Sequence, residues 1–459
     1  MVKRGALGSR IDPFYHKQYF YNLRNSFTTK GFIFVKSLIK SWNRGDGPRD
    51  GFYTDNHDNG VFFLRVNNLK ENSIDLTDVK FITRYVHERT LKRSQVTAGD
   101  LIFAISGTKD NLGTVSIIPE NITSANLNSA LVRLDLNLQM IDKWYFCLLF
   151  SLNFVRTQID FIGKGAAQNN MNNEEICQIQ IPLPSLLEQS EIVEMFNQAY
   201  AEKRQKEAEA KELLASIDAY LLEQLGIVLP DKIEEKNVFY VPFSKIQGNR
   251  FDPFYHKDEF EINNDAVSKG IYKVETIKEI CKNLIKGRLP KDSEKDGNCK
   301  VVQINSVKID GSIELEDLLT SKPIFTQNQL LQENDVLIVI TGATIGKISF
   351  WQYEGEYYLG GDIVKFQCNE GVNPYYIYSY LRTQIIQTEI KRNITGATNG
   401  HLSPSDINNF QIPLPPLEIQ TEIANHIRNI RERAKALQTE AKEIIEKAKA
   451  EVEKMILGE

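Results

Sequence analysis

The sequence predicts an α+β fold. Two homologous α/β domains are separated by two long antiparallel α-helices that pair as a coiled-coil spacer, and the whole forms a pseudo-two-fold internal repeat. Two observations carry this expectation. First, phrases from the N-terminal half return in order in the second half. Arg10-Ile11-Asp12-Pro13-Phe14-Tyr15-His16-Lys17 comes back as Arg250-Phe251-Asp252-Pro253-Phe254-Tyr255-His256-Lys257. Gly99-Asp100-Leu101-Ile102 comes back as Asn334-Asp335-Val336-Leu337, and Gly165-Ala166-Ala167 as Gly396-Ala397-Thr398. The spacing between equivalent positions shrinks steadily from 240 to 231 residues, as in a tandem duplication with small deletions in its second copy. A period this long means two domains rather than a solenoid. Second, Gln180-Ile181-Pro182-Leu183-Pro184 and Gln411-Ile412-Pro413-Leu414-Pro415 each introduce a long polar helix with a thin apolar line. The implied boundaries are 1–183 for the first domain, 184–228 for the central helix, 229–414 for the second domain and 415–459 for the C-terminal helix.

Within each domain, strands are expected at Val61 to Val66 and Val301 to Ile304. Further strands are expected at Asp100 to Ile105 and Asp335 to Ile340, where unbroken apolar runs suggest burial on both faces. Gly107 and Gly342 end these strands at loops. Aromatic-rich helical segments follow at Lys143 to Gln158 and Pro374 to Arg392. The Gly- and amide-bearing loops 163–170 and 395–401 come next; such loops serve equally as binding elements or as plain connections.

The central helix opens at Ser185-Leu186-Leu187-Glu188, a capping box, and stops at Gly226 and Pro230. Its apolar line runs through Ile192, Phe196, Ala199, Ala210, Leu213, Ile217 and Tyr220, with Lys203 and Lys206 able to lay their stems along it. The C-terminal helix opens at Pro416 and steps through Ile423, Ile427, Ile430, Ala434, Leu437, Ala441, Ile444 and Ala448, a heptad pattern. About 40 residues at 1.5 Å each give a rod of about 60 Å. Two separate helices, each packed on its own domain, are the alternative arrangement.

Composition narrows the function classes. A chain of 459 residues with 42% hydrophobic and 25% charged residues is that of a globular protein. A net charge of −5 argues against a molecule that coats nucleic acid over its whole surface, while leaving room for local basic surfaces. The five cysteines include no CxxC pair, so neither a zinc site nor a disulfide framework is indicated, and a cytoplasmic, reducing location is expected. Met1-Val2-Lys3-Arg4-Gly5 does not lead into a signal-peptide core. No apolar run approaches the roughly 20 residues of a membrane span.

Catalytic signatures are sparse. No GxGxxG follows a strand, no GxSxG is present, and the histidines lack metal-ligand spacing, so neither catalytic nor metal-binding residues are assigned. Gly342-Ala343-Thr344-Ile345-Gly346-Lys347 is one residue short of a phosphate loop and reads as a tight turn. Asp12-Pro13-Phe14-Tyr15 and Asp252-Pro253-Phe254-Tyr255 resemble the target-base loop of adenine methyltransferases, in which an aromatic stacks on a flipped base. The second proline of that loop is Phe here and no cofactor loop accompanies it. These phrases read as opening segments pinned to the core by their aromatics.

Taken as an ordered, duplicated set over the whole chain, these phrases resemble the specificity (S) subunit of a type I restriction–modification system. The resemblance rests on Ile181-Pro182-Leu183-Pro184-Ser185-Leu186-Leu187-Glu188-Gln189 and Ile412-Pro413-Leu414-Pro415-Pro416-Leu417-Glu418-Ile419-Gln420, on the Gly-Asp and Asn-Asp strands with the glycine turns after them, and on Gly396-Ala397-Thr398 ahead of Leu402-Ser403-Pro404. Ser185 replaces a proline and Ile419 a glutamate of the usual phrase. The resemblance implies a non-catalytic, DNA-binding subunit with two target-recognition domains, each reading one half of a bipartite, asymmetric site on double-stranded DNA. The helices would space the halves. Two modification (methyltransferase) subunits would dock and carry S-adenosylmethionine, leaving this chain without a cofactor, and restriction/translocase subunits could join. Alternatives are a stand-alone DNA-binding or scaffold protein and the specificity subunit of a type IIB enzyme.

Base reading favours Arg on guanine and Asn or Gln on adenine. In the first domain the candidates are Arg44, Arg49, Arg65, Asn67, Asn68, Lys109, Lys164, Gln168 and Asn169. In the second they are Lys286, Arg288, Lys291, Gln303, Asn305, Lys347, Asn399 and His401. The cluster Lys286-Gly287-Arg288-Leu289-Pro290-Lys291 suits phosphate contact.

Overall fold

The computed structural model describes residues 31–47, 52–55, 59–162, 169–230, 238, 240–246, 250–396 and 400–457. The first Asp-Pro-Phe-Tyr phrase lies outside them. The chain divides into two compact units, Met1–Lys206 with Thr439–Glu459, and Glu207–Gln438. Among the described residues no helix is long and apolar enough to cross a membrane.

The first unit is built on an antiparallel sheet in the order Val115–Ile117, Leu101–Ala104, Leu131–Leu136, Ile39–Arg44. A second sheet runs Lys80–Thr83, Gly60–Leu64, Ala125–Leu127, Gln95–Val96, its middle pair parallel. Leu101 to Ala104 is buried on both faces, as its unbroken apolar run predicts. Leu101 and Phe103 join the core beneath the helices, while Ile102 and Ala104 join the core between the sheets. Helices Lys143–Leu149 and Asn153–Ile162 cover the first of these cores.

The second unit repeats this plan. Its antiparallel sheet runs Ile285–Lys286, Ile363–Phe366, Val336–Val339, Ile348–Phe350. Leu319–Ser321, Lys295–Val302 and Tyr357–Leu359 form the companion sheet, again with one parallel pair. Val336 and Ile338 face one core, Leu337 and Val339 the other. The duplicated sequence phrases therefore occupy equivalent strands.

Three expectations need correction. The strands at Val61 and Val301 end at Leu64 and Val302, because Arg65–Asn68 and Gln303 onward turn away from the sheet. The two aromatic helical segments are each broken into a pair, Lys143–Leu149 with Asn153–Ile162, and Pro374–Leu381 with Gln384–Asn393. Thr383 marks the second break, its hydroxyl donating to Tyr380 O at 2.7 Å. Third, the C-terminal helix buries Ile445 where Ile444 was expected; Ile444 is half-buried. The stripe runs Leu437, Ala441, Ile445, Ala448, Val452. An α-helix has 3.6 residues per turn, so a strict heptad line drifts by about 20° per repeat, and the buried position slips by one residue.

The central helix spans Leu186–Leu225 and the C-terminal helix Leu417–Leu457. Ser185 caps the first as expected: its N–H donates to Glu188 Oε2 at 2.8 Å, and the same hydrogen-bonding environment holds the Glu188 carboxyl below its ordinary range. At the other end, Ile227 N–H donates to Leu222 O and Gly226 N–H to Glu223 O, the Schellman pair. Within the first unit, Ile192 and Phe196 share a core with Ile445, Ala448 and Val452, and Lys206 Nζ reaches Glu440 at 2.6 Å. Within the second, Ala210 packs with Ala434 and Leu437, and the Tyr220 ring lies 4.1 Å from that of His426. Partner numbers fall as helix numbers rise, so the helices pair antiparallel inside each unit.

The repeated Pro-Leu-Pro phrases have a structural reason. Gln180–Pro182 pairs with Phe32–Phe34, and Gln411–Pro413 with Val274–Thr276. Tyr145 and Tyr376, on the aromatic helices, donate to the carbonyls of Pro182 and Pro413. Gln189 and Gln420, both buried, then lock each long helix to its domain. Gln420 Oε1 accepts from Asn373 N–H at 2.8 Å and Nε2 donates to Pro415 O at 2.7 Å. Gln189 makes the same bonds to Asp142 N–H and Pro184 O, and Asp142 and Asn373 are themselves N-caps. Gln420→Ala strands a buried amide and a buried carbonyl, so a loss of about 1–3 kcal/mol is expected. A urea titration should show a lower midpoint with unchanged slope.

Candidate nucleic-acid interface

In each unit, three separate chain segments meet at the C-terminal end of the doubly buried strand. In the first unit that strand leads to Ser106 and Gly107. Asn170 pairs with Ser106 and Asn169 with Gly107, while Met171 N–H donates to Ile105 O at 2.9 Å. The Arg65–Asn68 turn closes from the other side; a Cβ at Gly107 would sit 3.3 Å from Val66 Cγ2. In the second unit Leu402 N–H donates to Ile340 O at 2.9 Å, Thr341 pairs with His401, and Gly342 N–H donates to Gly400 O. Lys347, after the Gly342–Thr344 turn, donates to Val307 O at 3.2 Å and so ties this turn to the segment that follows Gln303 and Asn305.

A fourth segment joins them by a close backbone crossing. Gly45 N–H donates to Leu131 O, and Asp46 N–H to Leu127 O, beside the end of the parallel strand pair. Gly287 N–H donates to Ile363 O and Arg288 N–H to Leu359 O at the equivalent place. Arg44 and the Lys286–Lys291 cluster are thereby brought to the same strand ends as the other candidates.

The structure sorts the individual side chains. Arg44 is exposed, its Nε donating to Ser129 O at 3.0 Å. Arg65 is held by Asp78 at 3.0 Å and Lys109 by Asp160 at 3.2 Å. Asn67 is exposed. Asn68 is a correction: it is only 3% exposed, accepts from Arg65 N–H at 2.9 Å and donates to Asp75 O at 2.9 Å, so it shapes the turn and cannot meet a base. In the second unit Lys286, Lys291 and Asn305 are exposed, and Gln303, Lys347 and His401 half-buried. Arg288 is exposed but braced by Glu294 at 2.9 Å and by Ile324 O. Arg49, Lys164, Gln168 and Asn399 lie outside the described residues, as does the side chain of Asn169.

Asp252-Pro253-Phe254-Tyr255 is no base pocket. Asp252 accepts from Tyr255 N–H at 3.0 Å and pairs with Arg250, while the Tyr255 ring lies under the guanidinium of Arg392 at 4.3 Å. The phrase pins the opening of its domain, as the structural reading expects. None of the motifs marks 84–93 of the first unit, where Arg84, Arg89, Lys92 and Arg93 are all exposed; local charge density is the signal that finds it.

Each of the two α/β modules gathers amide- and cation-bearing loops at one strand end, and the same arrangement is built twice in one chain. The chain belongs to the type I restriction modification DNA specificity domain family, whose model matches residues 36–214 and again 271–447. The family description names DNA specificity and no catalytic activity. The chain is 22% identical over 408 residues to a Methanocaldococcus jannaschii protein assigned as the specificity subunit of the type I restriction enzyme MjaX, covering 87% of this chain and 86% of that one. It is 25% identical over 159 residues to the Escherichia coli type I restriction enzyme EcoBI specificity subunit, covering 35% and 32%. A solved structure concerned with complex assembly and conformational transition of the type I R-M system shares the fold, with a TM-score of 0.51 at 18% identity over 93% of this chain and 96% of that one.

Proposed function

We propose that each unit reads one half of a bipartite, asymmetric target on double-stranded DNA, and that the paired helices set the gap between the halves and dock two methyltransferase subunits. The observation that carries this reading is the repeated geometry with unlike side chains. The same segments converge in both units, but Arg44, Arg65 and Asn170 in one correspond to Lys286, Gln303 and His401 in the other, while Asn67 and Asn305 are alike. Equal scaffolds with different reading groups suit two different half-sites, so the target need not be palindromic. On this reading the chain does no chemistry and binds no cofactor; S-adenosylmethionine resides on the methyltransferase subunits. Recognition centres on one face of B-DNA lie about 34 Å apart, which a helix of about 60 Å spans.

Methylation sequencing of DNA modified with and without this chain tests the reading; identical methylation patterns would sink it. The spacer role has its own test. Removing four residues from Ala201–Lys211, with four from the facing stretch of the C-terminal helix, shortens the rod by about 6 Å. The tolerated gap is expected to shrink by about two base pairs at 3.4 Å per pair. A methylated site of unchanged spacing would rule out the spacer.

A further inference from the structure

We infer that residues 84–93 of the first unit form a phosphate-contacting ridge that gives the two units unequal shares of the attachment to DNA; this rests on the reading proposed above. Arg84, Arg89, Lys92 and Arg93 are exposed within ten residues that contain one acidic residue, Glu88. None of the four makes an ion pair among the described residues, in contrast to Arg65, Lys109 and Arg288. Tyr85 stands among them, 69% exposed.

The ridge is rigidly built. Val86–Thr90 is a turn of π-helix and Lys92–Ser94 a 3-10 turn, both shapes that need support from outside. Asn126, fully buried on its strand, provides it. Its Nδ2 donates to Leu91 O at 2.8 Å and Ser94 Oγ at 2.9 Å, and its Oδ1 lies 2.6 Å from His87 Nδ1. Gln95 Nε2 donates to His87 O at 2.7 Å. A buried polar network of this kind holds the backbone in one conformation, so the cations are presented on a fixed platform. The ridge also continues the loop cluster. Lys92–Ser94 packs on the edge strand Ile39–Arg44, and Arg133, paired across from Asn43, donates to Gln95 O at 3.4 Å.

Among the described residues, the second unit has no such run of cations at the equivalent place. After the equivalent strand, Leu319–Ser321, the segment to Gln329 carries one cation, Lys322, which donates to Ser293 O at 2.8 Å. Phe325 there stacks on Tyr358 at 4.9 Å. Exposed, unpaired cations on a fixed edge beside the reading loops suit the sugar–phosphate backbone, which contributes affinity and salt dependence without sequence information.

The test uses the full chain assembled with its methyltransferase subunits on a duplex carrying its methylated site. Binding of the quadruple variant R84Q/R89Q/K92Q/R93Q is followed by fluorescence anisotropy across a potassium chloride series. The slope of log K against log salt is expected to become shallower by about 0.9 for each phosphate no longer neutralised, with the preference for the site over a scrambled duplex unchanged. The triple variant R84K/R89K/R93K should keep the wild-type slope. An unchanged slope in the neutral variant overturns the ridge. So does a variant that loses methyltransferase assembly with its salt slope intact, which would make the ridge a protein-docking surface. A wild-type complex without site preference would instead overturn the reading of the preceding section.

Discussion

Gly287→Ala is expected to cost about 3 kcal/mol or more, far above the usual effect of adding one methyl group. A Cβ at Gly287 would lie 1.8 Å from Gly360 O and 2.8 Å from Leu359 O, both backbone atoms that cannot rotate away. Relief requires the chain to lift off the end of the parallel pair Lys295–Val302 and Tyr357–Leu359. That movement breaks the bonds from Gly287 N–H to Ile363 O at 2.9 Å and from Arg288 N–H to Leu359 O at 3.1 Å. Lys286, Arg288 and Lys291 ride on this crossing, so recognition of one half-site should fail together with stability. The first unit makes the same crossing at Gly45, where a Cβ would meet Asn128 O at 2.0 Å. Gly47, two residues on, has open space around it, and Gly47→Ala is the control, expected within about 0.5 kcal/mol of wild type. Urea midpoints and methylation of the target check both; a Gly287→Ala protein as stable as the control would show that the crossing is not a constraint.

Lys365→Met should destabilise the second unit by about 3–5 kcal/mol, because it leaves a buried carboxylate without its counter-charge. Lys365 Nζ lies 2.7 Å from Asp335 Oδ2, with the side chains 4% and 0% exposed. Lys365 also donates to Leu330 O, and Asp335 accepts from Gln332 N–H at 2.8 Å, yet Asp335 Oδ1 has no hydrogen-bond partner. Burial pushes the Asp335 carboxyl up, and Lys365 and the Gln332 amide do not pull it back to its ordinary value. Desolvation therefore wins over attraction. It follows that replacing both partners, Asp335→Leu with Lys365→Met, should be neutral or stabilising by up to about 4 kcal/mol, less what the stranded Gln332 N–H costs. The sign with pH follows from the raised carboxyl. Asp335 holds its proton more tightly folded than unfolded, so its contribution is largest below the ordinary aspartate value and falls as pH rises through the raised one. The double variant should gain more at pH 7 than at pH 4 by urea titration; equal gains at both would contradict the assignment. Arg133 and Asp100 make the equivalent pair in the first unit at 3.6 Å, but at 35% and 27% exposure it contributes about 0–1 kcal/mol.

The amino-acid sequence by itself determined what is local or periodic. The order of the repeated phrases placed two like domains. The unbroken runs at Leu101 and Val336 marked strands buried on both faces, since side chains alternate along a strand and both sets are apolar. Ser185 and Glu188 marked a helix start because a capping box closes within one turn. The long helices were legible from their stripes, up to the drift that moves burial from Ile444 to Ile445. Tertiary structure decided which polar groups remain available to a partner. Arg65 and Arg288 look alike as readers until Asp78 and Glu294 are seen beside them, and Asn68 looks like a reader until Asp75 O and Arg65 N–H occupy its amide. The crossing at Gly45 and Gly287 and the support of 84–93 by Asn126 were equally hidden. In each case the deciding neighbour is brought in by folding, and burial, pairing and desolvation depend on distance in space rather than on spacing along the chain.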